Sequence, residues 1–303
     1  MRCNAIDGFA AALRRWATEN RRDLPWRRTR DPWAILVSEF MLQQTQVARV
    51  VPKWNSFVER FPTPSACAAV PVSETIRMWG GLGYNRRAVQ LHAAAVAIAD
   101  DYGDAVPSTL NELCSLPGVG PYTARAIRVF AYEHDDAVVD TNVARILARA
   151  VAGRRLSATE AQETADALVP FGEGWSWNQG LLDLGATICT KVAPKCAQCP
   201  VSSKCRWRVA AHTETDPALG SAGVPGRQSP FEGSDRQGRG RLVSALCESP
   251  VLLRVLPAVM GWRADWDRSI RIASTVVDDG LAEWDETGTA LRLIGTTRDE
   301  RRV

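Results

Sequence analysis

No stretch of this chain reaches the ~20 consecutive apolar residues that a membrane-crossing helix needs. This holds although 46% of its 303 residues are hydrophobic. The opening segment MRCNAIDGFAAALRRW is interrupted by charge and lacks the apolar stretch of a secretory leader. A reducing, cytoplasmic (nucleoid-associated) location is therefore expected, without a membrane partner and without a disulfide framework. Alternating apolar and polar residues, the mark of half-buried strands, are scarce before about His212. Charge is weak as a signal too, since a formal net charge of +3 makes no claim on a polyanion by itself. Arginines do cluster, at Arg14-Arg15, Arg21-Arg22, Arg27-Arg28-x-Arg30 and Arg86-Arg87. Such pairs read either as solvated helix faces or as an electrostatic footprint for nucleic acid.

Against these absences stand eight cysteines, four of them close together. Cys189, Cys196, Cys199 and Cys205 follow the spacing C-x6-C-x2-C-x5-C after the helix-like run WNQGLLDLGATICT. Four thiolates on one tight loop can close around a cubane cluster. Zinc competes, because C-x2-C pairs also make tetrahedral sites. One close pair flanked by two wider single cysteines favours [4Fe-4S] over the two close pairs usual for zinc. Cys3, Cys67, Cys114 and Cys247 are scattered and read as free thiols or core filler.

The length suits two domains. Residues 1–212 read as short amphipathic helices punctuated by Gly, Pro and Asp, as in ACAAVPVSETIRMWG and RRAVQLHAAAVAIADDYG, with the cysteine loop at 189–205. Residues 213–240 shift to Thr, Asp, Ser, Pro, Gly and Gln, the composition of a flexible linker. Residues 241–303 show helix signals at RLVSALCE, VLLRVLPAVM and ADWDRSIRIASTVVDD, then LAEW and ALRLI around a turn. Helices followed by a hairpin suggest a small winged-helix-like module. Its helix Asp265 to Val277, with Arg268 and Arg271, is a candidate auxiliary DNA contact.

The segment LPGVGPYTARAI ends one helix at Leu116-Pro117 and restarts another at Tyr122, with Gly118 and Gly120 permitting a tight turn around Val119. A helix-hairpin-helix offers backbone N–H groups to phosphate without reading sequence. An ordinary αα-hairpin is the plainer alternative. Glu39 sits among Ile35, Leu36, Phe40, Met41 and Leu42. A carboxyl in such company has its charged form disfavoured and is a candidate acid. Gln43-Gln44-Thr45-Gln46 follow within one turn, with amides able to fill the space left by a displaced base. Asp140 heads VVDTNVARILARAV as a helix N-cap, a position expected to hold its carboxylate ionised. Two carboxyls in opposed environments suit acid-assisted cleavage of a glycosidic bond.

Together LPGVGPYTA, SEFMLQQTQV, VDTNV, NRRDLPWRRTRDPW and the four-cysteine spacing resemble the helix-hairpin-helix iron–sulfur DNA glycosylases, most closely the A/G-specific adenine (MutY-type) branch, over about Asp7 to Trp207. The resemblance implies a mostly α, two-lobed glycosylase fold with a [4Fe-4S] loop, monomeric, with double-stranded DNA carrying A:8-oxoguanine or A:G mispairs in the cleft. It implies Glu39 as the acid on adenine N7 and Asp140 as the group facing the oxocarbenium-like sugar, with Asn142 and Tyr122 supporting. Gln43, Gln44, Thr45 and Tyr84 would contact the opened duplex, Arg27 would line the adenine pocket, and Gly118, Val119 and Gly120 would meet phosphate. Cys189, Cys196, Cys199 and Cys205 would hold the cluster. Endonuclease III carries a lyase lysine where this chain has Tyr122, and thymine-mismatch enzymes are expected to lack Glu39, so a monofunctional adenine enzyme is implied. Three departures stand out. Thr141 replaces the glycine usual in adenine enzymes, Asn85-Arg86-Arg87 is uncommon after GLGY, and the region after Gly240 is too short and too helical for the usual nudix-like domain.

Overall fold

The structure, a computed structural model, describes residues 2–210, 215–224 and 230–296, with backbone only for 2–7. The thiol of Cys3, residues 211–212, and residues 213–214 and 225–229 of the expected linker lie outside the described residues.

Helix punctuation follows local chemistry along the chain. Helix α1 (Arg2–Asn20) gives way to a 3-10 turn at Pro25–Arg27, and α2 (Pro32–Leu42) opens on a proline, whose missing N–H costs nothing at a helix start. Next come α3 (Val47–Arg60), α4 (Pro64–Ala68), whose Thr63 cap accepts from Ala66 N, and α5 (Val72–Met78). Helix α6 (Arg86–Tyr102) stops at Gly103, left-handed at φ +58°. The hairpin joins α7 (Leu110–Ser115) to α8 (Pro121–Phe130). Helix α9 (Thr141–Ile146) runs directly into a π turn at Leu147–Ala152, then α10 (Ala158–Asp166) opens on a Ser157/Glu160 capping box. Helix α11 (Gly174–Thr187) leads to the cysteine loop and α12 (Arg206–Val209). The remainder holds α13 (Asp235–Glu248), β1 (Val251–Leu252), α14 (Leu256–Met260), α15 (Trp266–Asp278), β2 (Ala282–Trp284) and β3 (Ala290–Leu293). The mostly α expectation holds.

The described residues form two compact units, one from Met1–Ile35, Ser108–Asn111 and Gly120–Arg227, the other from Leu36–Pro107, Glu112–Val119 and Gln228–Val303. In the first, Phe9 and Leu13 of α1, Val143 and Ile146 of α9, Ala161 of α10 and Leu181 and Leu184 of α11 share one apolar core. Phe9 meets Trp177 edge-on at 6.1 Å. Glycine is required where α11 crosses α9: a Cβ at Gly185 would lie 2.5 Å from Asn142 Cβ.

In the second unit Phe57 meets Phe61 and Trp79 edge-to-face, and Phe40, Leu91 and Ile98 are fully buried. The C-terminal elements belong to this unit and run helix, strand, helix, helix, strand, strand. The sheet order is β1–β3–β2, all antiparallel, with Val251 opposite Leu291 and Ala282 opposite Leu293, a winged-helix arrangement. Leu242, Leu256, Met260, Val276 and Leu291 fill its core.

The described part of the segment read as a flexible linker is more ordered than its composition suggests. Residues 215–224 are docked on the first unit: Asp216 pairs with Arg149, Ala218 is buried, and Ala222 N donates to Leu156 O at 3.2 Å. Helix α13 begins at Asp235 rather than near 241. Ser234 caps it, and the first-turn carboxylate of Asp235 suits the helix dipole, so a polar DRQGRG run is helical without aliphatics.

In the hairpin, Val119 N donates to Leu116 O at 3.1 Å and Gly118 adopts φ +76°. A Cβ on Gly118 would fall 2.8 Å from Gln90 Cβ and 2.9 Å from Phe40 Cε1. Strain and overlap then act together, so Gly118→Ala is expected to destabilise the protein by at least about 2 kcal/mol. Urea unfolding measures this, and a loss under about 0.5 kcal/mol contradicts it.

Candidate active site

The residues singled out above divide between the two units, with Asp140, Asn142, Tyr122, Arg27, Gly120 and the cysteines in the first and Glu39, Gln43, Gln44, Thr45, Tyr84, Gly118 and Val119 in the second.

Asp140 caps α9, accepting the Val143 N–H at 2.8 Å on one oxygen and the Asn142 amide at 2.7 Å on the other. Desolvation outweighs those two donors and pushes its carboxyl above the usual range. This differs from the expectation that capping alone would keep it ionised, because the Asp140 carboxyl is far more desolvated than an ordinary surface cap. A carboxylate stripped of water attracts a nearby developing cation more strongly than a solvated one. Asn142 in turn accepts from Arg145 Nη2 at 2.8 Å.

Arg145 is almost fully buried. Its Nε donates to Cys189 O at 2.7 Å and its Nη2 to Gly185 O at 2.8 Å, while Nη1 reaches Thr141 O and Gly223 O, both at 3.3 Å. One turn on, Arg149 donates to Cys189 Sγ at 3.4 Å and Thr190 O at 2.8 Å, and pairs with both oxygens of Asp216. Burial would weaken the Arg149 charge, but Asp216 and Cys189 beside it hold its pKa above the usual value. Neither arginine was singled out from sequence. The signal was available, since two arginines four apart on an otherwise apolar helix must find acceptors indoors.

The four cysteines line one apolar cavity, partly open to solvent and walled by Ile146, Ala150, Leu184, Val201 and Trp207. Two 3-10 turns, Cys196–Gln198 and Ser202–Lys204, bend the loop so that Cys196, Cys199 and Cys205 turn back towards Cys189. Burial pushes the Cys199 thiol up to about 11. Among the described residues no three His, Cys, Asp or Glu side chains converge closely enough to hold a single ion.

Arg27 does not stand open. Its guanidinium grips Asp183 of α11 through two bonds of 2.8 and 2.9 Å, and Arg22 adds its Nε at 2.5 Å and backbone N–H at 3.1 Å. Burial raises the Asp183 carboxyl, but the two guanidiniums outweigh it and hold it below the usual range. Asp183 was not singled out from sequence either. Tyr122 occupies the first turn of α8, behind Gly120, which is extended at the cap, and Pro121.

Glu39 is 7% exposed in α2, between buried Ser38 and Phe40. Gln43 and Gln44 lie beyond the end of that helix, on the turn into α3, with Gln44 left-handed at φ +53°. Tyr84 is also left-handed at φ +46° and is 43% exposed. Buried Arg87 fastens these two turns together. Its Nη1 donates to Phe40 O at 2.7 Å and Gln43 O at 2.6 Å, and its Nη2 to Thr45 Oγ1 at 3.0 Å and Gly83 O at 2.9 Å. Desolvation lowers its pKa to about 10. The Arg86-Arg87 pair is thus half solvated face and half internal clamp, a distinction the dipeptide alone does not carry.

Residues 37–171 match the HhH-GPD superfamily base excision DNA repair proteins. The adenine DNA glycosylase of Mycolicibacterium smegmatis is 44% identical over 279 residues, spanning 88% of this chain and 90% of that protein. That span is too long to be contained in residues 1–240, so it takes in part of the C-terminal module. The adenine DNA glycosylase of Homo sapiens is 38% identical over 230 residues, spanning 71% of this chain and 42% of its own length. Among solved structures, a thermostable thymine-DNA glycosylase superposes with a TM-score of 0.66 at 32% identity, over 69% of this chain and 99% of its own. A trapped endonuclease III–DNA covalent intermediate superposes at 0.59 with 25% identity, over 69% and 96%. The chain belongs to the adenine DNA glycosylases of the HhH-GPD superfamily.

Proposed function

We propose that this protein is a monofunctional base-excision-repair glycosylase that binds double-stranded DNA and hydrolyses the N-glycosidic bond of adenine mispaired with 8-oxoguanine or guanine. The reading is carried by two carboxyl groups with unlike surroundings, buried Glu39 in the apolar α2 and half-buried, desolvated Asp140 at the head of α9, in a chain 44% identical to an adenine DNA glycosylase. Glu39 protonates N7 of the flipped adenine so that it leaves as a neutral base. Asp140 faces the oxocarbenium-like sugar, oriented by Asn142, and Tyr122 supports the same site. Gln43, Gln44, Thr45 and Tyr84 occupy the stack around the opposite base, and the Gly118-Val119-Gly120 turn meets phosphate. Arg27 lines the adenine pocket, its guanidinium held in place by Asp183. We assign catalysis to residues 1–212 and a winged-helix-like module, packed within the second unit, to 241–303.

The cysteine loop fits a [4Fe-4S] cluster, because four thiols in C-x6-C-x2-C-x5-C spacing border one shared apolar cavity. Cys189, Cys196, Cys199 and Cys205 would hold it. When bound, the cluster supplies cross-linking of the loop. The chain's own residues do the chemistry on the base.

Glu39→Gln is expected to lower adenine release by at least about a hundredfold while mispair binding stays within about threefold, and Asp140→Asn to be comparably severe. Single-turnover release from an A:8-oxoguanine duplex measures both, and Glu39→Gln turnover within about tenfold of wild type removes Glu39 from the acid role. Anaerobically purified protein is expected to be brown with about four irons per chain, and Cys199→Ser to lose the colour. Stoichiometric zinc in colourless protein overturns the cluster. Because Tyr122 offers no amine, the product strand is expected to stay intact until alkali is added, and borohydride to trap no covalent complex. Efficient trapping would point instead to a lyase of the endonuclease III kind.

A further inference from the structure

The loop between α5 and α6, residues 79–85, is conformationally expensive. Gly81 and Gly83 take positive φ, and Tyr84, with a Cβ, does so at +46°. Non-glycine residues persist in that region only where the surroundings over-determine them. Arg87 and the Trp79 Nε1–Gly83 O bond of 3.3 Å do part of this from within.

The winged-helix module holds both stems of the loop from outside. On α5, Pro71 and Val72 lie against the turn after β3, where a Cβ on Gly295 would come 3.4 Å from Val72 Cγ1. At the far end of α5, Arg77 Nε donates to Cys247 O of α13 at 3.3 Å. On α6, Arg86 Nη1 lies 3.4 Å from Asp279 Oδ1, and a Cβ on Gly280 would sit 3.7 Å from Val89 Cγ1. Asp279 is itself anchored by Arg239, whose Nη2 reaches Oδ2 at 2.6 Å while its Nη1 donates to Thr275 Oγ1 at 2.7 Å.

The face a winged helix offers to a DNA groove is poorly equipped here. Arg268 donates to Asp235 Oδ1 at 2.7 Å and Gly233 O at 2.8 Å and stacks 4.0 Å over Trp262, and Arg271 pairs with Asp235 at 3.2 Å. The same helix exposes Asp267 and Asp278, and the turn between β2 and β3 carries Asp285 and Glu286. Of the arginines expected to touch phosphate, Arg268 is engaged within the module and Arg271 is paired with Asp235 at its surface, and acidic groups flank both.

We infer that the winged-helix module braces the Tyr84 loop and is not a second DNA-reading arm, with Asp279 the positioning residue that ties it to α6. What the loop does to DNA rests on the function proposed above, but the brace itself is testable in the free protein. Hydrogen exchange of the 79–87 amides is compared in full-length wild type, Arg86→Ala, Asp279→Ala, Asp279→Asn and the Arg86→Ala/Asp279→Ala double variant. Each single variant is expected to speed exchange there about threefold or more, with the double no faster than Asp279→Ala and the α9 amides unchanged. Unchanged 79–87 exchange in folded Asp279→Asn overturns the brace, whether or not adenine is the substrate. In binding assays, Asp279→Ala is expected to weaken affinity for A:8-oxoguanine duplex by about fivefold while leaving matched-duplex affinity and its salt slope as in wild type. An equal loss on both duplexes with a flatter salt slope shows the module contacting phosphate and overturns the inference.

Discussion

A guanidinium withdrawn from water has to find an acceptor for each N–H, and the first unit is organised by the way Arg145 meets that demand. Its acceptors come from four places in the chain: the turn at Thr141 and Asn142, Gly185 in α11, Cys189 at the mouth of the cysteine loop, and Gly223 on the docked segment. Remove the side chain and four main-chain carbonyls and the Asn142 amide oxygen lose this donor in a low-dielectric interior, a cost of several kcal/mol. The contact also has a direction. Through Asn142 it reaches the second oxygen of Asp140, so the orientation of that carboxylate depends on where the cysteine loop begins. Arg149 repeats the arrangement one turn later and adds an anion, Asp216, that composition had assigned to a flexible stretch.

Arg87 plays the matching part in the second unit. It satisfies carbonyls at the end of α2 and on the Tyr84 turn with one planar fork, so two left-handed residues, Gln44 and Tyr84, are held by a single buried cation. In the second unit, precision at an exposed, strained position comes from the arginine beneath it.

The elements and motifs were legible where chemistry is local. Asp140 as a cap, Gly118 as the turn residue and the helix–strand order of the tail follow from residue type and period, and these are short-range causes. What was illegible depends on partners far apart in sequence. Arg27 is 156 residues from Asp183, and Arg149 is 67 from Asp216, so no window of local pattern contains either pair. Residues 215–224 looked like a linker because aliphatics are few, yet the segment is fixed by the Asp216–Arg149 ion pair, the Ala222 N–Leu156 O bond, the Arg145 bond to Gly223 O and small side chains. Arg268 and Arg271 looked available for phosphate because sequence shows a charge but not its counter-charge at Asp235.

The π turn at Leu147–Ala152 makes residue count, not residue type, the fixed quantity along this stretch. A π turn accommodates a residue more than an α-helix of equal length. Losing one residue would restore regular α-helix and swing every later side chain by roughly 100° about the axis. Arg149 lies inside the wide turn, where it reaches Cys189 and Asp216 together. Side chains such as Ala148 and Ala150 are exchangeable for others of similar volume, whereas a single-codon deletion here would uncouple the cysteine loop from the helix that presents Asp140.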